Sequence, residues 1–322
     1  MKVLVTGGAG FIGSHLSERL LENGCEVYVV DNLSTGSIKN IENLQKKKFF
    51  HFSRGDVLNK KIMTGLVKKV DMIYHLAAAV GVKYIIDNPL ESIKTNVRGT
   101  ENILEIAEAY GKKKIFIAST SEVYGKNNNS RAAFKETDDR LLGSTTKWRW
   151  SYSCCKALDE FLALAYYREK KLPVAIGRFF NTCGPRQTGR YGMVIPRFIR
   201  QAILNQPMTV YGDGKQTRCF LYVGDATDAI IKLMNKKTAV GEIFNIGNPH
   251  NITILALAKK IKKLVNSKSK IKFMSYENAY KMGFEDMRHR KPDISKAHKL
   301  IKFSPKVDID ELLKITIRDF KK

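Results

Sequence analysis

Short apolar runs alternate with longer amphipathic segments through the first half of the chain, a pattern typical of strand–helix–strand units in a parallel sheet. Six runs are predicted strands: Lys2 to Thr6, Glu26 to Val30, Phe49 to Ser53, Met72 to Leu76, Lys114 to Ala118 and Pro173 to Arg178. Three intervening stretches are predicted helices: Ser14 to Asn23, Pro89 to Tyr110 and Ser151 to Lys170. The pattern therefore predicts an α/β fold with a doubly wound parallel sheet.

The alternation loosens after Arg178, where glycine- and proline-containing loops become frequent. Glu242 to Ile246 is strand-like, and Ile254 to Val265 has helical spacing of its apolar positions. We expect this half to form a smaller, partly interleaved α/β lobe. The predicted division is a larger domain of residues 1–178 with a returning segment near 217–247, and a lobe of residues 179–216 and 248–322.

Composition narrows the class of protein. The 322 residues contain no apolar run of membrane-spanning length, and the strand-like start shows no cleavable signal pattern, so we expect a soluble, cytoplasmic protein. Five scattered cysteines lack metal-ligand spacing, which argues for reduced thiols and against a disulfide framework or metal site. The net charge of +25 suggests an anionic partner, but the lysines lie in short separate groups without nucleic-acid-binding motifs. A solvated basic surface, with no nucleic-acid or membrane partner, is the favoured interpretation.

A glycine-rich turn follows the first predicted strand and opens the first predicted helix. Gly7, Gly10 and Gly13 allow close approach of the backbone to a pyrophosphate, and the helix N-terminus offers free N–H groups. Asp31 follows the second strand about 20 residues further on, where a carboxylate accepts from ribose hydroxyls and repels a 2′-phosphate. These features predict a Rossmann-like domain that binds NAD rather than NADP.

Tyr152 and Lys156 lie four residues apart on a predicted helix and therefore share one face. An ammonium near the phenol favours its ionised form, which is a base suited to a sugar hydroxyl. Thr120 and Ser121 follow the fifth strand, where parallel sheets place ligand sites, and would share the hydrogen bonds of that hydroxyl. A role as helix-capping hydroxyls is the alternative for both.

The glycine spacing together with the Tyr–Lys pair resembles the extended short-chain dehydrogenase/reductases, the NAD-dependent epimerase/dehydratase family. The resemblance implies a homodimer formed through the second and third predicted helices. It also implies a cofactor-binding set: Gly7, Gly10, Phe11, Ile12, Gly13, Asp31, Asn32, Ser34, Gly36, Asp56, Val57, Leu76, Ala77, Ala78, Ser119, Tyr152 and Lys156.

Within that family the chain is most similar to the UDP-glucuronate decarboxylases. Ser121-Glu122 matches their Ser-Glu pair, Trp148 to Tyr152 looks like their approach to the catalytic Tyr, and Arg290 lies in a matching His-Arg-Lys-Pro segment. The resemblance implies that Tyr152, Lys156, Thr120, Ser121, Glu122 and Arg290 are catalytic. It implies a substrate-binding set of Ala79, Tyr84, Arg149, Asn181, Tyr211, Gln216 and Arg218.

The chemistry agrees with this assignment, because oxidation at C4 of a uronic acid puts a ketone β to the C6 carboxylate. Loss of carbon dioxide then leaves an enolate that the ketone stabilises. Glu122 and Arg290 would position the carboxylate and return a proton to C5. The expected product is UDP-xylose, or the 4-keto pentose if the reduced cofactor leaves.

Several departures keep alternatives open. The segment Ala79 to Tyr84 lacks the proline-rich loop of the UDP-xylose-forming enzymes, and Phe284 replaces a Tyr. A 4-epimerase acting on a UDP-hexose or UDP-uronate is therefore the alternative, and a 4,6-dehydratase is less favoured. A non-catalytic NAD-binding protein with a basic nucleic-acid surface is the alternative from another class. For three further arginines, substrate contact and structural ion pairing both stay open: Arg186, Arg190 and Arg197.

Overall fold

The computed structural model describes residues 1–126, 133–189, 193–279 and 287–321. Its strands are β1 (Lys2–Thr6), β2 (Glu26–Asp31), β3 (Phe50–Arg54), β4 (Met72–His75), β5 (Lys114–Thr120), β6 (Val174–Phe179), β7 (Thr182–Cys183), β8 (Met208–Tyr211), β9 (Thr217–Cys219), β10 (Leu221–Tyr222), β11 (Glu242–Ile246), β12 (Asn251–Thr253) and β13 (Ile271–Met274). Seven form a parallel sheet in the order β11-β6-β5-β4-β1-β2-β3. The doubly wound α/β fold is thus confirmed, and the strand order reverses between β1 and β4.

The α-helices are α1 (Phe11–Glu22), α2 (Glu42–Gln45), α3 (Lys60–Val67), α4 (Val82–Asp87), α5 (Pro89–Ala109), α6 (Arg149–Lys170), α7 (Val194–Ile203), α8 (Val223–Met234), α9 (Ile254–Val265), α10 (Tyr276–Ala279), α11 (Ser295–Ile301) and α12 (Ile309–Phe320). Side-chain caps start several of them: Asn59 accepts from the amide of Ile62, and Thr253 accepts from the amide of Ala256. Short 3₁₀ turns span Ile38–Asn40, Ser121–Tyr124 and Lys237–Ala239.

Two apolar layers bury the sheet. Alternation along β1 sends Val3 and Val5 toward the layer of α1, α8 and α11, and Leu4 toward the layer of α3, α5 and α6. Because both faces are covered, the strands are apolar on both sides, which explains why they are continuous hydrophobic runs in the sequence.

A further apolar cluster joins α7, α9 and α12 to β8 and lies beside the carboxyl ends of the sheet strands. Around it lie three two-stranded sheets, β10-β7, β12-β9 and β13-β8. Helix α11 packs with α8 and β11 on the large sheet. The domain boundaries drawn from the sequence stay a prediction. Across the described ranges, no helix is long and apolar enough to cross a membrane.

Candidate active site

A cleft of ≈ 450 Å³ opens at the carboxyl ends of the strands, next to the point where the strand order reverses. Most residues predicted for the site line it. They are Gly7, Gly10, Phe11, Ile12, Gly13, Asp31, Asn32, Ser34, Val57, Leu76, Ala77, Ala78, Ser119, Thr120, Ser121, Glu122, Arg149, Tyr152, Lys156, Asn181, Tyr211, Gln216, Arg218 and Arg290. The fold therefore gathers residues that the sequence disperses over almost its whole length.

The glycine-rich turn leaves room for a ligand only because it carries no side chains. Gly7 has a φ of +69°, and a Cβ added to it would lie 2.9 Å from the backbone of Ala77. A Cβ on Gly13 would lie 2.2 Å from the carbonyl oxygen of Gly7. Since α1 begins at Phe11, its first N–H groups face this turn, and the cradle fits a dinucleotide pyrophosphate.

Asp31 is 7% exposed and binds the turn directly. Its carboxylate accepts from the amide of Ala9 at 3.0 Å and from the amide of Leu33 at 2.8 Å. Burial raises the pKa of Asp31, and these backbone donors oppose the shift. A carboxylate has about four acceptor sites. Asp31 can therefore hold the turn and still accept from a ribose hydroxyl.

Four predicted residues lie outside the wall of the cleft. Gly36 packs behind Asp31, and the Asp56 carboxylate accepts from the Asn32 amide at 2.8 Å, so Asp56 supports a cofactor-side residue. Ala79 is buried and exchanges two hydrogen bonds with Asn96, at 2.9 and 3.1 Å. Tyr84 belongs to α4 and is half-buried.

The Tyr–Lys pair lies on α6, as predicted, but its electrostatics differ from the expectation. The Lys156 ammonium pairs with the Asp159 carboxylate at 2.9 Å, and both side chains are buried. Burial, followed by the charge of Glu122, raises the pKa of Tyr152. Desolvation therefore opposes the phenolate that the sequence predicts, and the role of Lys156 in favouring it stays a prediction.

Thr120 and Ser121 differ in what their hydroxyls do. The Thr120 hydroxyl accepts from the Glu122 amide at 3.2 Å and so caps the 3₁₀ turn. The Ser121 side chain is 1% exposed and lines the cleft, and its hydroxyl has no hydrogen-bond partner in the described part of the chain. A buried hydroxyl of that kind is suited to a ligand.

A compact charged cluster lies near Tyr152. The Arg290 Nη1 atom lies 3.3 Å from Glu122 Oε1, and Arg290 Nη2 donates to Asn181 Oδ1 at 2.6 Å. Arg149 Nη2 lies 4.0 Å from the same Glu122 oxygen. Among the described residues, two guanidinium groups lie beside one carboxylate, an arrangement that favours an additional anionic group in the cleft.

The opposite end of the cleft contains the predicted nucleotide-side residues. The Gln216 amide donates to the Tyr211 carbonyl at 2.8 Å and to the Tyr276 hydroxyl at 3.1 Å. Arg218 Nη1 donates to the Thr217 carbonyl at 2.8 Å. These contacts orient aromatic and guanidinium groups that suit a base and a diphosphate.

The structure distinguishes two of the three remaining arginines. Arg186 pairs with Glu18 at 2.7 Å, which is a structural contact outside the cleft. Arg197 lines the cleft with its guanidinium 3.9 Å from the ring centroid of Tyr211. Arg190 and Phe284 lie outside the described residues.

Sequence reasoning missed part of the wall. The missed residues are Val30, Thr35, Gly55, Val80, Gly81, Ile85, Thr95, Ala118, Phe179, Thr182, Cys183, Gln187, Met193, Val194, Ile195, Pro196, Phe220, Ile254 and Tyr276. The apolar start of α7 carries one usable signal, because Pro196 is typical of a first helical turn. No cluster of three or more metal-ligating side chains occurs among the residues that the structure describes. All five cysteines are free.

Fold and site together define a doubly wound α/β protein with a dinucleotide turn facing a Tyr–Lys pair. The family model for GDP-mannose 4,6 dehydratase matches residues 4–316. The chain belongs to this family of epimerases and dehydratases, which confirms the resemblance drawn from the sequence.

Relatives and solved structures resemble the chain over its full length. A UDP-N-acetyl-alpha-D-glucosaminuronate decarboxylase of Bacillus cytotoxicus is 47% identical, over 99% of this chain and 98% of its own. UDP-glucuronic acid decarboxylase 1 of Arabidopsis thaliana is 39% identical, over 100% of this chain and 70% of its own. The structure of UDP-glucuronic acid 4-epimerase from Bacillus cereus with UDP-glucuronic acid and NAD has a TM-score of 0.90 at 31% identity, covering 100% of this chain and 99% of that one.

Proposed function

We propose that the protein is an NAD-dependent decarboxylase of a UDP-hexuronate, with UDP-glucuronate as substrate and UDP-xylose or the 4-keto pentose as product. The observation that carries the proposal is the contact of Glu122 with Arg290, 3.3 Å, in the same cleft as Tyr152. Bound NAD would supply the hydride acceptor for C4, held by the glycine-rich turn and Asp31.

Different residues of the chain carry out the separate steps of the reaction. Tyr152 takes the proton of the C4 hydroxyl, and Ser121 offers its buried hydroxyl to the same oxygen. Once C4 is a ketone, the C6 carboxylate is β to it, and the carbon–carbon bond breaks to give carbon dioxide and an enolate. Arg290 and Arg149 hold the carboxylate, and Glu122 or Arg290 directs the proton that returns to C5.

Two sugars fit this chemistry equally, because a 2-hydroxyl and a 2-acetamido group leave C4 and C6 unchanged. The 47% identity to the Bacillus cytotoxicus decarboxylase supports the 2-acetamido uronate as a second candidate substrate. The likeness to the Bacillus cereus 4-epimerase supports epimerisation as the alternative reaction, since it needs the same Tyr and NAD.

One assay separates these functions. Protein, NAD and either UDP-glucuronate or its 2-acetamido counterpart are incubated, and carbon dioxide and product mass are measured. Release of carbon dioxide supports the decarboxylase, and the faster sugar identifies the substrate. A product lighter by one CO₂ is the pentose, and a product lighter by one CO₂ and two hydrogens is the 4-keto pentose. Mass-neutral conversion of both sugars contradicts it and supports the epimerase.

The assembly is also proposed to be a homodimer. Helices α5 and α6 pack against each other and carry exposed apolar side chains, which are Leu90, Ile93, Leu158 and Phe161. Exposed contiguous apolar surface marks interaction sites. The partner classes proposed are small molecules and a second copy of the chain, without nucleic acid or membrane. A cytoplasmic location fits substrates and cofactor of this kind.

A further inference from the structure

Asn245 is a fully buried polar residue on β11, the edge strand of the large sheet. Its side-chain Oδ1 accepts from the Tyr124 hydroxyl at 2.7 Å. Its Nδ2 donates to the carbonyl of Phe134 at 2.9 Å and to the carbonyl of Asp293 at 3.0 Å. Its backbone amide donates to Glu136 Oε1 at 2.7 Å. The Asn245 side-chain amide therefore has both its oxygen and its nitrogen hydrogen-bonded, and such a buried, fully bonded amide fixes the positions of its partners.

The segments that Asn245 joins carry the two charged partners of the cleft. Tyr124 ends the 3₁₀ turn that contains Glu122, and Asp293 lies three residues after Arg290. The first segment follows directly on β5, and its Glu122 carbonyl accepts from the Ser153 hydroxyl of α6 at 2.7 Å. The second segment lies outside the strands of the large sheet. The distance between the two segments therefore depends on the contacts that fix the second against the first, and the Asn245 side chain bonds to both.

Phe134 completes this junction. Its amide donates to the Lys291 carbonyl at 2.8 Å, and its own carbonyl accepts from the Asp293 amide at 2.8 Å. Its ring stacks on Tyr124, with centroids 4.5 Å apart and planes at 11°. The junction thus consists of the backbone hydrogen bonds of Phe134 and of the stacked rings of Phe134 and Tyr124. Asn245 bonds to both, through the Phe134 carbonyl and the Tyr124 hydroxyl.

We infer that Asn245 is a positioning residue that fixes the distance between Glu122 and Arg290, and that it thereby controls whether the oxidised sugar loses its carboxylate. The inference rests on the proposed function. Tyr152 and Lys156 lie on α6, whose position is set by its own backbone hydrogen bonds and by its packing against the sheet. Loss of the Asn245 bridge should therefore affect C5–C6 chemistry more than C4 oxidation.

The test compares Asn245→Ala with Phe244→Leu, a matched change in the neighbouring buried residue of β11, whose ring packs in the apolar layer containing α1 and α8. Asn245→Asp is the milder variant, because it keeps an acceptor for Tyr124 and removes the donor to the two carbonyls. Enzyme-bound NADH in a single turnover reports C4 oxidation, because the hydride returns to C4 when the pentose forms, and CO₂ from C6-labelled UDP-glucuronate in the same turnover reports decarboxylation. We expect Asn245→Ala to lower the ratio of CO₂ to NADH formation at least tenfold, and Phe244→Leu to leave the ratio unchanged.

Amide hydrogen exchange at Phe134 and Asp293 provides a readout that needs no turnover. Faster exchange in Asn245→Ala and Asn245→Asp, with wild-type rates in Phe244→Leu, supports the bridge. An unchanged exchange rate, or equal losses of CO₂ and NADH formation in both Asn245 variants, overturns the inference. If the wild-type protein oxidises the sugar without releasing CO₂, the proposed function fails, and the exchange experiment still decides the bridge.

Discussion

The guanidinium of Arg290 lies 3.3 Å from the carboxylate of Glu122, although 168 positions separate the two residues along the chain. Both side chains are largely buried, at 12% and 15% exposure, so the contact is not screened as a surface pair would be. Each group has a further anchor, since Arg290 binds Asn181 and Glu122 lies near Arg149. The cluster is therefore pre-organised to receive a substrate carboxylate beside the oxidation site.

Glu122→Gln should separate oxidation from decarboxylation. The amide keeps the size of the side chain and removes the charge that pairs with Arg290, so CO₂ release should fall at least a hundredfold, about 2.7 kcal/mol of barrier. NADH formation should persist, because Tyr152 and Lys156 are unchanged. Glu105→Gln, which alters an exposed pair with Lys60, is the control and should match the wild type. Undiminished CO₂ release in Glu122→Gln would exclude a role for the carboxylate.

The same variant should alter the pH profile of C4 oxidation. The Glu122 charge contributes to the raised pKa of Tyr152, since a nearby anion disfavours the phenolate. Removing that charge lowers the pKa of Tyr152, so the acid limb of the rate profile should move to lower pH. Stopped-flow measurement of NADH formation across pH checks this, with Tyr152→Phe as the inactive reference. A shift to higher pH, or none, would contradict the assigned coupling.

The sequence predicts the long elements with a clear apolar pattern well and the short or uncapped elements poorly, for a physical reason. Strands covered on both faces are continuous apolar runs, so β1 is predicted to its exact bounds. Helix α8 is missed because its start follows directly on β10 and no polar side-chain cap marks it. Local pattern alone cannot assign short strands such as β7 and β10, whose pairing depends on distant segments.

In the site, too, residues with a local sequence signal are predicted, and contacts that depend on distant packing are missed. Gly7, Asp31 and Tyr152 are predicted from their spacing along the chain, and all three line the cleft. The pairing of Lys156 with Asp159 is missed, although its spacing of three residues on a helix is a signal for it. The placement of Arg197 over Tyr211 depends on how α7 packs beside β8 and has no local signature.

Gly13→Ala should abolish cofactor binding. Its Cβ would lie 2.2 Å from the Gly7 carbonyl oxygen, so the turn must deform. Gly65→Ala is the matched control, because Gly65 lies in α3 with no atom within 4 Å of an added Cβ. It should bind NAD normally and gain roughly 0.5–1 kcal/mol in unfolding free energy. Calorimetric titration with NAD and urea unfolding measure both; normal NAD affinity in Gly13→Ala would rule out the pyrophosphate cradle.

His75 should make the protein less stable in acid. It is fully buried between Thr6 and Thr100, and burial, aided by the charge of Lys156, lowers the pKa of His75 to about 3 from its usual 6.5. Below pH 6.5, His75 is therefore protonated in the unfolded chain and stays neutral in the folded chain. This contribution is complete above pH 6.5 and falls by about 2 kcal/mol between pH 7 and pH 5.

Urea unfolding of the wild type and of His75→Gln at several pH values isolates that contribution. The difference in unfolding free energy between them should be constant above pH 7 and should shrink as the pH falls toward 5. A difference that stays the same over this range would show that His75 does not titrate between the folded and unfolded states as described.

Phe161→Glu should dissociate the proposed dimer. Phe161 and Leu158 lie three residues apart on one face of α6, with 65% and 45% exposure, and Leu90 on α5 is 64% exposed. A carboxylate at position 161 would be desolvated in an apolar interface without a partner, which is strongly unfavourable. Phe49→Glu, a change at a 55%-exposed phenylalanine next to β3, is the control. Light scattering should give a dimer mass for the wild type and the control, and a monomer mass for Phe161→Glu. A wild-type monomer, or a Phe161→Glu dimer, would refute assembly through this face.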